Sequence, residues 1–203
     1  MILSLFSPSR FLIFTAIFEG GLAALSLFLG WLTGINPFNY FTISGHALIW
    51  AIVGSFPLIL FFMLFYRFPI GPLRPIKEFL IKTIAPYLNT CHWYDLLLVA
   101  LLAGVCEELF FRGFLQLWIE SSSGTLMGLL GSNLIFALAH SITKTYALIA
   151  GLIGVYLGFL LDVSEQRNLF IPMVVHTLYD FLALIVIVQS SRRRLSNQAY
   201  LNK

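Results

Sequence analysis

Long apolar runs dominate this sequence and restrict what it can fold into. The first run covers residues 11–33, behind Arg10, and five more follow along the chain. Such runs approach the roughly 20 apolar residues that an α-helix needs to cross about 30 Å of hydrocarbon. Hydrophobic residues make up 59% of the chain and charged residues 10%, which leaves too little polar surface for a water-soluble domain. The sequence therefore predicts an all-α, polytopic membrane helical bundle whose first run is a retained span.

The apolar runs predict about six transmembrane helices, at residues 11–33, 46–66, 93–118, 125–140, 146–161 and 169–189. The fourth and fifth are short. Gly151, Gly154 and Gly158 in the fifth predict close packing against its neighbours, because glycine lets backbones approach each other. Between the second and third runs, prolines punctuate an amphipathic stretch at residues 76–84. This stretch predicts a short helix lying on the membrane interface.

Most lysines and arginines beside the predicted spans fall on one side of this six-span arrangement, as the positive-inside rule expects of the cytoplasmic side. These basic residues are Arg10, Arg67, Arg74, Lys77, Lys82, Lys144, Arg192, Arg193 and Arg194. The opposite side carries Arg167 beside Asp162 and Glu165. We therefore expect both termini in the cytoplasm and, given the compact length, a bacterial inner membrane. No stretch interleaves basic with aromatic residues, so the expected partner is the lipid bilayer and not a nucleic acid.

Two adjacent glutamates lie deep within the third predicted span, in the sequence CEELFFR at residues 106–112. An ionised residue at the centre of a membrane helix costs from about 2.5 to over 10 kcal/mol, so such residues are functional candidates. Glu108 and Arg112 are four apart and can pair on one helix face, whereas Glu107 lies about 100° around the helix. Glu107 is thus free to act as a base; the alternative is an ion-pair network that only fixes helix packing. Glu19, a lone acid in the first span, receives no role.

Histidines occur in two later spans. His140 ends the fourth, and His176 lies four residues before Asp180 in the sixth, so that these two share one helix face. As an alternative, His140 is an interfacial residue without function. Together with Glu107, these groups suit either a glutamate-activated water with an oxyanion site or a zinc ion held by two histidines and a carboxylate. No HExxH sequence is present, and the cofactor stays open between zinc and none.

Three intramembrane motifs follow one another: Glu107-Glu108-x-x-x-Arg112, Phe136-x-x-x-His140 and His176-x-x-x-Asp180. In order and spacing they resemble the motifs of the CAAX-protease and bacteriocin-processing (CPBP, Abi-type) intramembrane proteases. That family includes the eukaryotic protease that removes the last three residues of prenylated CAAX proteins.

The resemblance implies an intramembrane endopeptidase that acts on a membrane-associated protein or peptide, with or without a lipid anchor. It implies a catalytic helix bundle at residues 93–190, preceded by two helices and the amphipathic connection at residues 1–92 and followed by a basic cytoplasmic tail at residues 191–203. The alternative is a non-catalytic protein of the same fold that acts in immunity or scaffolding. A small transporter would show repeated half-structures, and none is visible.

The resemblance also implies roles for the motif residues. Glu107 and His140 would activate the attacking water, and His176 and Asp180 would form the oxyanion site. Because an ionised aspartate repels an oxyanion, Asp180 must be a protonated donor, a histidine-orienting acceptor or a metal ligand. The supporting residues would be Glu108, Arg112 and Phe136.

The predicted span boundaries disagree about the depth of one motif. At 1.5 Å per residue, Glu107 lies about 21 Å from the cytoplasmic side and His176 about 10 Å from the opposite side, which agree in a core of about 30 Å. Counted from the start of the fourth span, His140 instead lies about 15 Å nearer the cytoplasm. The fourth helix must therefore start deeper, or tilts and breaks must bring the motifs together.

Overall fold

The computed structural model describes residues 8–201, which form helices and connecting turns without a β-strand. Residues 1–7 of the expected N-terminal segment and residues 202–203 of the expected basic tail lie outside the described residues. The α-helices are α1 (Pro8–Thr33), α2 (Gly45–Arg67), α3 (Leu73–Phe79), α4 (Ala85–Leu88), α5 (Trp93–Glu108), α6 (Leu117–Ser123), α7 (Thr125–Ala139), α8 (Lys144–Leu160) and α9 (Phe170–Leu201). Two π-helical segments, π1 (Leu80–Ile84) and π2 (Leu109–Gln116), join α3 to α4 and α5 to α6. The prediction of an all-α membrane bundle is confirmed.

Three described helical stretches are long and apolar enough to cross a membrane: Ser9–Thr33, Gly45–Arg67 and Phe170–Gln198. The helices α7 and α8 are apolar but shorter; α7, with 15 residues, is only about 22 Å long. Large apolar side chains along α1, such as Phe14, Phe18 and Trp31, are exposed. Exposure of this extent suits a lipid environment.

The third predicted span continues beyond its expected end at residue 118. From α5 through π2 to α6, the chain forms one helical rod of 31 residues, about 45 Å long. It ends at Gly124, whose positive φ of 85° suits glycine at a helix end.

The length of this rod removes the disagreement about depth. The helix α7 begins directly after the far end of the rod and runs back along it, with Gly128 packed against the backbone of Gln116. His140 therefore returns to the level of Glu107, and the expected start of the fourth helix was correct. The predicted end of the third helix was wrong, because the π2 segment and α6 extend the rod past the apolar run.

Glycines bring the helices of the bundle close together. A Cβ at Gly104 of α5 would lie 2.7 Å from the backbone nitrogen of Thr177 in α9. A Cβ at Gly151 of α8 would lie 3.0 Å from Ala137 in α7, and one at Gly158 would collide with Leu129. The predicted close packing of the fifth span is confirmed.

The connection between α2 and α5 is a broken helix, α3 to α4, as the amphipathic stretch predicts. Leu88 of α4 packs in an apolar cluster with Leu96 and Val188. The guanidinium of Arg192 donates to the backbone oxygens of Asn89 at 2.9 Å and Cys91 at 2.8 Å. Arg192–Arg194 lie within α9, so the basic residues expected in a tail continue the last helix.

The two N-terminal helices belong to the same bundle as the later ones. The helix α1 packs along α5 and π2, and α2 packs along α9. Ser26 of α1 donates a hydrogen bond of 3.1 Å to the backbone oxygen of Leu109 in π2. Through these contacts α1 and α9 flank the segment that carries the adjacent glutamates.

Candidate active site

Glu108 is the last residue of α5 and is completely buried. Its Oε1 accepts a hydrogen bond of 2.8 Å from Nη1 of Arg112, so the ion pair predicted from the spacing is present. The same oxygen lies 2.8 Å from Nδ1 of His176 in α9. Glu108 therefore joins the first motif to the third, a contact that the spacing within either motif does not predict.

Arg112 carries a fully buried guanidinium between three helices. Its Nη2 donates to Oδ1 of Asn133 in α7 at 2.8 Å and to the backbone oxygen of Gly154 in α8 at 2.6 Å. Its Cζ lies 4.9 Å from the ring centroid of Phe136, within the range of a cation–π contact. A buried charge is tolerated only with such partners, and here α7 and α8 supply them.

The π2 segment begins directly after the two glutamates. A π-helical turn interrupts the regular hydrogen-bond ladder of an α-helix and is frequent at functional sites. In this turn Phe111 packs edge-on against Phe136, with ring centroids 4.9 Å apart.

Glu107 faces a different set of groups from its neighbour. Only 9% of the residue is exposed, and its Oε2 has no hydrogen-bond partner among the described residues. Nε2 of His140 lies 3.9 Å from that oxygen, which is too long for a direct hydrogen bond.

The tautomer of His140 follows from its second ring nitrogen. Nδ1 lies 2.9 Å from the backbone oxygen of Phe136, and a carbonyl oxygen can only accept. Nδ1 therefore carries the hydrogen, which leaves Nε2 of a neutral imidazole as an acceptor directed toward Glu107. The ring also stacks on Phe136, with centroids 4.3 Å apart.

His176 is buried between two carboxylates. Besides the contact of Nδ1 with Glu108, its Nε2 lies 3.5 Å from Oδ2 of Asp180. A protonated imidazole can donate to both acceptors. The side chain of Asp180 is 30% exposed and borders a cavity beside the site.

The structure thus brings all the motif residues into one cluster, at the junction of α5 with π2, at the end of α7 and in the first third of α9. Glu107 and His140 face each other, while Glu108, Arg112 and His176 form a connected polar network. Phe136 lies between the two imidazoles, with its centroid 6.4 Å from that of His176.

Sequence reasoning missed several residues around this cluster. Asn133 accepts a hydrogen bond from Arg112. In the sequence it stands out only as an amide residue within an apolar run. Glu19, to which no role was given, is 6% exposed, and its Oε2 has no hydrogen-bond partner among the described residues. Tyr146 of α8 borders the cavity beside Asp180.

The donor atoms of the cluster do not fit a zinc site. Zinc takes at least three protein ligands that converge on one point, and the described residues contain no such group of three or more His, Cys, Asp or Glu side chains. Both ring nitrogens of His176 are directed at carboxylates of the protein itself.

An apolar cavity of about 260 Å³ adjoins the cluster between α2, α3, α5, α8 and α9. Its polar lining residues are Asp180, Tyr146, Tyr179, Tyr66 and Lys77. The remaining walls are aromatic and aliphatic side chains. The cavity gives an apolar ligand room next to Asp180 and His176.

Comparison with known proteins agrees with the motifs. Residues 89–182 match the family described as type II CAAX prenyl endopeptidase Rce1-like. No curated protein and no solved structure matches the chain. The matched segment contains the three motifs in full, whereas Glu19 and Lys77 lie outside it. The match covers just under half of the chain, and it supports the CAAX-type intramembrane protease family that the three motifs predict.

Proposed function

We propose that this protein is an endopeptidase that hydrolyses a peptide bond of a membrane-associated substrate with a water activated by Glu107. The proposal is carried by one observation: Oε2 of Glu107 and Nε2 of His140, two acceptors, face each other 3.9 Å apart. A water between them can donate a hydrogen to each. Both acceptors also increase its nucleophilicity, as general base catalysis requires.

In the reaction, Glu107 takes a proton from this water as the water oxygen forms a bond with the carbonyl carbon of the substrate. The carbonyl oxygen becomes an oxyanion. When the bond from carbon to nitrogen breaks, Glu107 returns its proton to the leaving amine. The products are a peptide with a new carboxylate and a peptide with a new amine.

The oxyanion would be stabilised by His176. A protonated His176 can donate from Nε2 to a substrate oxygen, because its contact with Asp180 is long at 3.5 Å. Glu108 fixes the ring through Nδ1 at 2.8 Å. Of the three roles open to Asp180, this geometry favours the histidine-orienting acceptor, since its carboxylate lies beside the ring that it would hold.

The two adjacent glutamates would then have separate roles. Oε1 of Glu108 is engaged by both Arg112 and His176. One oxygen of each glutamate, Oε2, has no hydrogen-bond partner among the described residues. The carboxylate of Glu108 is neutralised by Arg112 and completely buried, whereas Glu107 has no arginine partner and faces the imidazole of His140.

The substrate is proposed to be a protein or peptide at the membrane, with an apolar segment or lipid anchor that enters from the bilayer. In this proposal residues 93–190 supply the catalytic groups, and the helices of residues 1–92 close the bundle and the cavity. The basic residues flanking the predicted spans support cytoplasmic termini and access from the cytoplasm, in a bacterial inner membrane.

The experiment compares wild type with Glu107→Gln in lipid nanodiscs. The substrates are synthetic peptides ending in a cysteine and three aliphatic residues, each prepared with and without a prenyl group on the cysteine. Wild type should release a C-terminal fragment that mass spectrometry identifies, and Glu107→Gln should lower the rate by about 10²–10⁴-fold, as loss of a general base does.

The exposed Glu165 provides a matched control, and Glu165→Gln should cleave like wild type. Zinc is to be quantified on the same samples, and treatment with a chelator should leave the rate unchanged. Absence of cleavage by wild type, with a stably folded Glu107→Gln, would instead favour a non-catalytic immunity or scaffolding protein.

A further inference from the structure

The proposed oxyanion site has a single donor in His176. Its Nδ1 is engaged with Glu108 at 2.8 Å, so only the N–H at Nε2 is left for a substrate. That N–H also faces Oδ2 of Asp180 at 3.5 Å, and an ionised carboxylate can only accept. Oxyanion sites aim several fixed donors at the developing charge. A second donor is therefore to be sought close to Asp180.

Tyr146 of α8 carries a hydroxyl group next to both parts of the cluster. Its ring centroid lies 6.4 Å from that of His140, the imidazole that lies 3.9 Å from Glu107. Tyr146 and Asp180 line the same cavity, and the carboxylate of Asp180 lies beside His176. Tyr146 thus neighbours the water-activating pair and also the side of the site that receives the oxyanion.

The hydroxyl of Tyr146 is available to a ligand. It forms no hydrogen bond within the part of the chain that the structure describes. The hydroxyl of Tyr156 in the same helix, by contrast, donates to the backbone oxygen of Gly54 at 2.8 Å. A polar group among apolar walls that lacks a partner costs free energy, and a substrate oxygen would supply that partner.

The start of α8 fixes the position of Tyr146. Thr143 caps the helix, and its side-chain oxygen accepts a hydrogen bond of 3.0 Å from the backbone nitrogen of Tyr146. Only residues 141–143 separate His140, at the end of α7, from the start of α8. A Cβ at Gly151 would lie 3.0 Å from Ala137, so the two helices pack closely. The backbone therefore holds Tyr146 beside His140 before any substrate binds, as a preorganised donor requires.

An aromatic residue at the start of a membrane helix is usually an interfacial anchor. Trp93 and Tyr94 at the start of α5 fit this role, since they are 65% and 53% exposed. Tyr146 is instead half-buried and lines the cavity beside the site. Anchoring at the interface therefore does not account for its place in the fold.

From these contacts we propose that Tyr146 donates the second hydrogen bond to the oxyanion, beside His176. The inference rests on the proposed peptidase function and assigns a further catalytic residue to the same site. The phenol keeps its proton throughout, because it acts as a hydrogen-bond donor and not as an acid. Its bond becomes stronger as the carbonyl oxygen becomes charged, since a charged acceptor binds a donor more tightly than a neutral one. Asp180 then stays an ionised acceptor that orients His176.

The test compares wild type with Tyr146→Phe in nanodiscs, using the prenylated synthetic peptides. Loss of the hydroxyl should lower kcat by about 10²–10³-fold, as removal of one oxyanion donor does, without changing KM or the thermal unfolding midpoint. Tyr179→Phe is the matched control, because Tyr179 lines the same cavity but packs its ring against Phe62, and it should keep the wild-type kcat. Tyr156→Phe should show the opposite pattern, a lower midpoint with the wild-type kcat, because its hydroxyl bonds to the protein.

A binding measurement separates the transition state from the ground state. In a phosphinic analogue of the same peptide, a tetrahedral phosphorus replaces the carbonyl carbon at the bond after the cysteine and imitates the intermediate. Tyr146→Phe should weaken binding of this analogue by the factor by which it lowers kcat/KM, as expected of a contact made in the transition state. Added to Glu107→Gln, which binds without cleaving, Tyr146→Phe should leave the affinity for the substrate peptide unchanged.

The possible results distinguish this inference from the proposed function. If Tyr146→Phe keeps the wild-type kcat and the wild-type affinity for the phosphinic peptide, the inference is overturned and the peptidase stands. A lower kcat accompanied by an equally clear loss of thermal stability would also overturn it, because the hydroxyl would then only support the fold. No cleavage by wild type would overturn the peptidase. Equal binding of the phosphinic peptide to wild type and Tyr146→Phe would in that case overturn the donor role as well.

Discussion

At the scale of single residues, two neighbours of the same type are held in different environments. One turn of helix separates Glu108 from Arg112, so pairing is inherent in the sequence. Glu107 lies on another face and meets His140 only because α7 runs back along the rod. The site thus combines a local ion pair, Glu108 with Arg112, and a tertiary contact, Glu107 with His140.

The polar network around Arg112 yields a prediction about stability. Asn133→Ala removes an acceptor at 2.8 Å from a buried guanidinium, which should destabilise the protein by about 1–3 kcal/mol. Ser132→Ala is the matched control, since the hydroxyl of the buried Ser132 donates within its own helix, to the backbone oxygen of Leu129 at 3.2 Å. Thermal unfolding in one detergent measures both. Equal midpoints for the two variants would contradict the role given to Asn133.

Much of the site was predictable at this scale, and the reason is spacing. Pairs four residues apart on a helix, such as His176 with Asp180, follow from helical geometry alone. The contact between His176 and Glu108 joins positions 68 residues apart, and no local pattern encodes it. Asn133 could be recognised only as a polar residue whose burial requires a partner, and the sequence does not name that partner.

At the scale of elements, the site depends on how closely α7 and α8 approach the rod. Gly154 has no side chain, and its backbone oxygen accepts a hydrogen bond of 2.6 Å from Arg112. A Cβ there would collide with Oδ1 of Asn133 and lie 3.1 Å from Nη2 of Arg112. The glycines of α8 therefore make space for the arginine that holds Glu108.

A substitution of one methyl group tests this packing. Gly154→Ala should destabilise the protein by about 1–3 kcal/mol through overpacking and should lower activity by displacing Arg112. Gly21→Ala in α1 is the control, because a Cβ at Gly21 meets nothing within 4 Å. The free energy of unfolding and the cleavage rate are measured for both variants. Wild-type values for Gly154→Ala would show that α8 can move without cost.

The helices were predictable from apolar runs, with starts within three residues of those observed. The ends of the helices were harder to predict where polar residues continue a helix, as in α6 and in the part of α9 after Gln189. Hydropathy marks where a chain leaves the hydrocarbon and not where its hydrogen-bond ladder ends. For the same reason the sequence did not predict that the helix continues through π2 to Ser123. The depth of His140 depends on this extension and was therefore not predicted either.

At the scale of the whole molecule, a charged cluster joins loops on the side opposite the basic residues. Arg167 contacts both oxygens of Glu120, at 2.8 and 3.1 Å, and Asp162 at 2.6 Å. It also lies 5.4 Å from the ring centroid of Tyr40. The helix α6 and the loops before α2 and α9 are thereby tied together around one guanidinium.

This cluster gives a dependence of stability on pH. The hydrogen bond from Arg167 holds the pKa of Glu120 below its ordinary value, so the pair stabilises the folded state at neutral pH and loses this effect as pH falls through the lowered pKa. Arg167→Gln should therefore lower the free energy of unfolding at pH 7 by roughly 1 kcal/mol, and by less below about pH 4. Melting curves between pH 3 and pH 8 measure the difference. A difference that grows toward acid pH would contradict this assignment.

The central claim is that Glu107 performs chemistry while Glu108 holds the site together. The most direct measurement is the cleavage rate of Glu107→Gln and of Glu108→Gln, each recorded with its thermal unfolding midpoint in the same nanodiscs. We expect Glu107→Gln to unfold like wild type with almost no cleavage. Glu108→Gln should unfold at a lower temperature, because it leaves the buried Arg112 without its counter-charge, a change that costs about 3–5 kcal/mol. Full cleavage by Glu107→Gln, or a loss of stability as large as that of Glu108→Gln, would contradict the account.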